Sequence, residues 1–224
     1  MTPWLAFVKK ECLQVIRKPS ASLLPIFFSL MVTSLFPMVL NLSEQQLQQV
    51  APAVLIMILL LSALMTTEGL FQADFDDGTT ALLFASPHSN YLLYGTKVLV
   101  SWFSSGFMLS VFAPVLGFIL HMPQHSVLTL FVAFALGSLN LIFLGAVGAA
   151  LTVTLRNTGM LLIFIILPMN VPVLVLLAAI LNASNQGLAV VSNYLALLGA
   201  LTLMTTFLTP WVISAALKIN LESQ

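Results

Sequence analysis

Few side chains in this sequence could do chemistry, and each can be weighed where it stands. His121 and His125 are four residues apart, a spacing that lets two imidazoles face one metal or one haem iron from a helix. Pro123 lies between them and argues against a regular helix there, so the expectation is a pair of solvated loop histidines. Gly95-Thr96-Lys97 is the nearest approach to a phosphate-cradling loop, and it lacks both the spacing and the glycine-rich turn that such a loop needs. There is no His-Glu-x-x-His zinc helix and no Cys-x-x-Cys-His haem attachment site. Cys12 is the single cysteine, which excludes a disulfide framework and a thiolate metal cage. Glu68 is the one carboxylate close to the interior of an apolar run, and it stands at the end of that run. A proton- or ion-coupled pump would have nowhere to place its relay. If a chain like this does energised work, the energy comes from another chain.

The elements that hold these residues follow from the scarcity of charge. Of 224 residues 6% are charged and 60% hydrophobic, whereas a soluble domain carries about 25% charged residues. Lipid must be the solvent for most of the chain. A net charge of zero offers nothing to phosphates, so a nucleic-acid partner is excluded along with a soluble enzyme and a disordered linker.

The longest charge-free runs are 19–43, 45–67, 98–155 and 157–217. A membrane-crossing helix needs about 20 apolar residues, so the first two runs hold one span each and the last two hold two apiece. The breaks fall at His121–Ser126 and Asn182–Gly187, where polar residues, Pro and Gly interrupt the apolar sequence. The expectation is an all-α integral membrane protein, a single transmembrane domain over 1–224, with six spans at about 20–41, 52–71, 98–120, 127–155, 158–181 and 194–217. Continuous apolar runs without alternation argue against a β-barrel. A cleaved signal peptide is not expected, because the stretch 20–42 is too long for a signal core and no convincing cleavage site follows it.

Lys9, Lys10, Arg17 and Lys18 precede the first span, Lys97 lies between the second and third, Arg156 between the fourth and fifth, and Lys218 follows the sixth. All seven basic residues thus share one side, which the positive-inside rule makes cytoplasmic: both termini are inside. Within residues 4–18, Trp4, Phe7/Val8, Cys12 and Val15/Ile16 recur at helical spacing among the basic residues, as in an amphipathic helix lying in the headgroup layer. Pro19 then lets the chain turn into the first span. Gly137, Gly145 and Gly148 with Ala149 offer small surfaces for close helix packing on the fourth span. Pro114, Pro168 and Pro172 could kink the third and fifth spans, and Asn170 falls at membrane depth, where its amide needs a partner from a neighbouring helix or a freed carbonyl.

The one sizeable polar segment away from the termini is the cytoplasmic stretch 72–96. Gly78 offers a turn, Thr79 or Thr80 an N-cap, and a short helix can run through Phe84 and stop before Pro87. Asp74, Asp76 and Asp77 lie ahead of that helix, on the side its dipole favours. A small capped helix with acids and exposed Phe75, Leu82 and Phe84 suits a socket on a soluble partner.

With these features on one chain, the sequence resembles an ABC-2-type permease, and more closely the haem exporter protein B family of the cytochrome c maturation system. The stretches that carry the resemblance are Leu35-Phe36-Pro37, Ala51-Pro52, Leu60–Leu64, Leu70-Phe71 through Asp74, Asp77-Gly78 and Pro87. They continue with Leu144-Gly145-Ala146, Leu151–Arg156, Gly159, Leu167-Pro168 and Val171-Pro172. They run in order over most of the chain. The sequence departs from the family pattern at Gly69, at Gln72 or Ala73, and at Ala81, where the family carries charged residues.

The resemblance implies a non-catalytic transmembrane subunit of an ATP-driven complex in the bacterial inner membrane. Its partners would be an ABC ATP-binding subunit that binds the ATP, a haem-handling membrane subunit, a small single-span subunit and, indirectly, a periplasmic haem chaperone. ATP hydrolysis on the partner would be coupled to haem delivery and release of the loaded chaperone. Haem would be handled by the complex, with no cofactor or metal assigned to this chain. The residues expected to contact the ATPase are Phe75, Asp76, Asp77, Gly78, Leu82 and Phe84. The alternative is an ABC-2 exporter of a lipid or another small amphiphile.

Overall fold

A computed structural model describes residues 3–17, 19–40, 43–85, 90–123, 127–154, 158–183 and 188–222. Lys18, Pro87, His125 and Arg156, each used in the sequence reading, lie outside these residues. The regular structure among the described residues is helical: α1 (Pro3–Arg17), α2 (Pro19–Leu40), α3 (Glu44–Thr67), α4 (Gln72–Asp76), α5 (Thr79–Ala85), α6 (Asn90–Ser101), α7 (Phe107–Ile119), α8 (Val127–Leu151), α9 (Thr158–Ala183) and α10 (Leu188–Glu222). A π-helical segment, Trp102–Gly106, joins α6 to α7 without a break. Among the described residues five stretches are long and apolar enough to cross a membrane: Glu44–Asp76, Asn90–Ile119, Val127–Leu151, Phe164–Ala183 and Val190–Glu222. Within α2, Leu23–Val39 is a shorter apolar helix.

Local sequence explains the boundaries. Ser43 caps α3 through a capping box, its hydroxyl accepting from the Gln46 amide while the Gln46 side chain accepts from the Ser43 amide. At the other end Glu68 closes α3, and Gly69, at φ +68, turns the chain away from the helix axis. α7 ends in a Schellman arrangement in which the Met122 amide donates to the Gly117 carbonyl and the His121 amide to Phe118. His121 takes the left-handed position there (φ 56) with an exposed side chain. Its place in the fold is that of a helix terminator.

The core is built around α8, which packs on α3, α7, α9 and α10. A helix apolar all round must be buried, and glycines let its neighbours approach. A Cβ on Gly145 would sit 2.8 Å from Thr67, one on Gly148 2.6 Å from Ile166 and one on Gly137 2.9 Å from Leu177. Close packing is therefore what these glycines do, as the sequence suggested.

Two buried amides behave differently. Asn140 on α8 donates to the hydroxyl of Thr202 and accepts from that of Thr205, tying α8 to α10. Asn170 on α9, 1% exposed between Pro168 and Pro172, makes no hydrogen bond through either side-chain atom. The partner expected for it is absent among the described residues.

Candidate functional site

The stretch after α3 is two short helices, where the sequence suggested one. Phe71 starts α4 and Asp77 closes it, the Asp77 amide donating to the Ala73 carbonyl and the Gly78 amide to that of Phe75. Gly78 then takes φ +71, a conformation open to glycine at little cost, and the Leu82 amide returns to the Gly78 carbonyl as α5 begins. Nothing lies within 4 Å of a Cβ placed on Gly78, so its requirement is conformational and not steric.

The arrangement splits the six residues expected at the contact. Leu82 is 72% exposed, and Asp76 and Asp77 are also exposed on this outward side. Asp76 accepts from the Gln72 side-chain amide at 3.0 Å, which steadies α4. Phe75 turns inward and is buried, and Phe84 is half-buried with its ring 6.0 Å from that of Tyr94. Their expected exposure is corrected: Phe75 joins the buried core, and Phe84 meets Tyr94, whose ring in turn meets that of Phe71 edge-on at 6.0 Å. Of the apolar residues proposed as a socket surface, Leu82 alone points out.

Behind the hairpin lies a cluster that sequence spacing did not bring together. Asp74, read as one of three similar acids, is buried. One of its carboxylate oxygens accepts from Lys97 of α6, and the other accepts from Lys10 of α1 at 3.2 Å. Lys97 also sits 5.7 Å over the Phe71 ring. Burial alone would raise the Asp74 pKa, but the adjacent Lys97 and then Lys10 outweigh it and hold the carboxyl below its ordinary range. α6 begins at Asn90, inside the segment 72–96 read as a loop. With its charge matched, Lys97 can be buried inside a helix that the sequence reading started only after it.

α1 completes the cluster. The sequence put Phe7/Val8 and Cys12 on one apolar face; the structure buries Phe7 and Glu11 and leaves Cys12 exposed. Glu11 faces inward because the cations are there, with Lys10 3.7 Å away. Its pKa is raised, by burial above all, and Lys97 only partly offsets this. The helix thus packs on α6 and α2 as part of the bundle, beyond the surface role its amphipathic pattern suggested. The signal was a lone acid inside a basic helix, which amphipathic periodicity does not weigh.

Long apolar helices around a glycine-bearing central helix define a multi-pass helical membrane protein. The family described as CcmB protein matches residues 3–220. Heme exporter protein B of Pseudomonas aeruginosa is 39% identical over 211 residues, covering 94% of each chain. The protein of that name from Haemophilus influenzae is 34% identical over 220 residues, with 98% of this chain and 99% of the relative covered. That from Escherichia coli K12 is 35% identical over 198 residues, covering 88% and 90%. The chain belongs to the CcmB family.

Proposed function

We propose that this chain is the transmembrane permease subunit of an ATP-driven ABC complex serving cytochrome c maturation in the bacterial inner membrane. The observation that carries the reading is end-to-end similarity to proteins named Heme exporter protein B, at 30–39% identity over 88–99% of this chain. In this reading residues 1–224 form one ABC-2-type domain with six spans, α2 supplying the first, and both termini lie in the cytoplasm. The seven basic residues on one side support that orientation.

The subunit does no bond chemistry of its own. A separate ABC subunit binds and hydrolyses ATP and docks against the outward side of α4–α5, where Asp76, Asp77 and Leu82 are exposed. Its stroke reaches the spans through the inward side, because α4 is tied to α1 and α6 by Asp74, Lys10 and Lys97. The motion serves haem delivery by the complex and release of the haem-loaded periplasmic chaperone. A haem-handling membrane subunit and a small single-span subunit complete the assembly.

Deletion of the chain in a cell that makes c-type cytochromes tests the reading. The expected result is accumulation of haem-loaded chaperone and loss of mature cytochrome c, restored by the intact chain. Normal maturation, with a defect in the export of a lipid or another amphiphile, would transfer the chain to a different ABC-2 function. Cysteine labelling tests the orientation: a cysteine at Ser43 should label from the periplasm and one at Glu222 should not, and the reverse would invert it.

A further inference from the structure

Between α1 and the adjoining ends of α3 and α6 lies a cavity of about 470 Å³. Its lining includes Glu11 and Val15 of α1, Glu68 and Leu70 after α3, and Lys97 and Val100 of α6, with Asp74 beside Lys97. Three carboxylates therefore face one lysine, and that lysine is already paired with Asp74. Glu11 is 5% exposed, and its Oε1 accepts no hydrogen bond among the described residues, where the nearest ammonium, that of Lys10, is 3.7 Å away and bonded to Asp74. A buried carboxylate oxygen without a donor is costly, and a ligand that supplies one recovers that cost.

Three hydroxyls at the cavity, those of Thr66, Ser104 and Ser105, have the same polarity. Thr66 donates its proton to the Ser62 carbonyl, and Ser104 and Ser105 both donate to the Ser101 carbonyl. Each hydroxyl has spent its one donor within its own helix and offers only lone pairs to a ligand. Carboxylates outnumber ammonium groups here, Glu11, Glu68 and Asp74 against Lys97 and Lys10, so the cavity repels an anionic headgroup and suits a cation rich in N–H. Val15, Leu70 and Val100 make the rest of the wall apolar.

We propose that this cavity is a binding site for the primary ammonium headgroup of an aminophospholipid, with the ammonium donating to Glu11 Oε1 and the glycerol end against Val15, Leu70 and Val100. The placement suits a lipid, because the cavity lies between the amphipathic α1 and two long apolar stretches, Glu44–Asp76 and Asn90–Ile119. A trimethylammonium headgroup has the charge and none of the donors, so hydrogen bonding to Glu11 separates the two lipids. This inference goes beyond the proposed function and does not depend on what the complex transports.

The test is native mass spectrometry of the delipidated full-length chain, titrated with phosphatidylethanolamine, phosphatidylcholine or phosphatidylglycerol of identical acyl chains. Charge-assisted hydrogen bonds predict one phosphatidylethanolamine held about tenfold or more tightly than either of the others. Glu11→Gln should bring the three lipids to parity. Ala73→Arg, at an exposed position on the cavity edge, should do the same by placing a guanidinium in the site, and it gives an answer even where Glu11→Gln folds poorly. Equal retention of all three lipids by the unaltered chain, or a preference for phosphatidylglycerol, overturns the proposal. So does a phosphatidylethanolamine preference that survives both substitutions. Free ethanolamine is the last arm: protection equal to that of the lipid would make the site one for a soluble amine and refute the lipid assignment.

Discussion

The two sides of the α4–α5 hairpin are made from the same dozen residues and are built on opposite terms. Inward, Asp74 is paired with Lys97 and Lys10, Phe71 meets the Tyr94 ring, and Phe75 is buried in the core. Outward, Asp76, Asp77 and Leu82 are exposed. Three acids that look equivalent in the sequence thus do different work: Asp74 holds the hairpin to the bundle, and its neighbours face whatever approaches. A surface that has to pass a mechanical load needs both, a fixed back and an available front.

The largest effects should come from breaking the fixed side. Removing one partner of a buried ion pair leaves an uncompensated charge and costs about 3–5 kcal/mol, so Asp74→Ala should lower thermal stability sharply. Replacing both groups, Asp74→Leu with Lys97→Met, should recover much of that loss, because the desolvation cost of the pair disappears with it. The pH dependence has a definite sign. The Asp74 pKa is depressed by folding, so its contribution is fully present above the ordinary carboxylate pKa and is lost as pH falls through the lower, folded value. Melting curves recorded down an acid series should show this loss, and the double variant should not.

On the available side the expectation reverses. Leu82→Asp should leave the melting temperature unchanged, since the residue is exposed. It should weaken co-purification of the ATPase tenfold or more, as burial of one such side chain is worth about 1.5–3 kcal/mol. Loss of stability with normal docking would mean that the two sides have been assigned in reverse.

Gly78 joins the sides and should show an intermediate effect. A β-branched residue forced to φ +71 costs about 1–2 kcal/mol, so Gly78→Val should distort the hairpin, while Gly78→Asn should be tolerated because asparagine visits that region. His121 offers a control at the far end of α7. It too is left-handed, without any part in the hairpin, and His121→Gly should raise stability by up to about 1 kcal/mol with maturation unaffected.

What the sequence made legible was set by how far each signal reaches along the chain. Apolar run length places α3, α8 and α9 because a span is a local property, and glycines on α8 announce close packing without naming the neighbours. The Gly78 turn was legible for the same reason. The partners of Asp74 were not: Lys10 and Lys97 lie 64 and 23 residues away, and no local period links them. Lys97 read as the end of a loop because its charge was weighed in isolation. Phe75 and Phe84 read as exposed because a polar segment suggests solvent throughout, and no local signal announces the core around Phe75 or the Tyr94 ring beside Phe84. Asn170 shows the opposite case, where a general rule about buried amides anticipates a bond that is absent among the described residues.

The most direct test of the account is photo-crosslinking in the assembled complex, with a benzophenone amino acid at Leu82, at Leu13 on the exposed side of α1, or at Leu61 on the exposed side of α3. The account predicts an adduct with the ATP-binding subunit from position 82 and none from 61. No adduct from 82, with a strong one from 13, would contradict it and move the docking surface to α1.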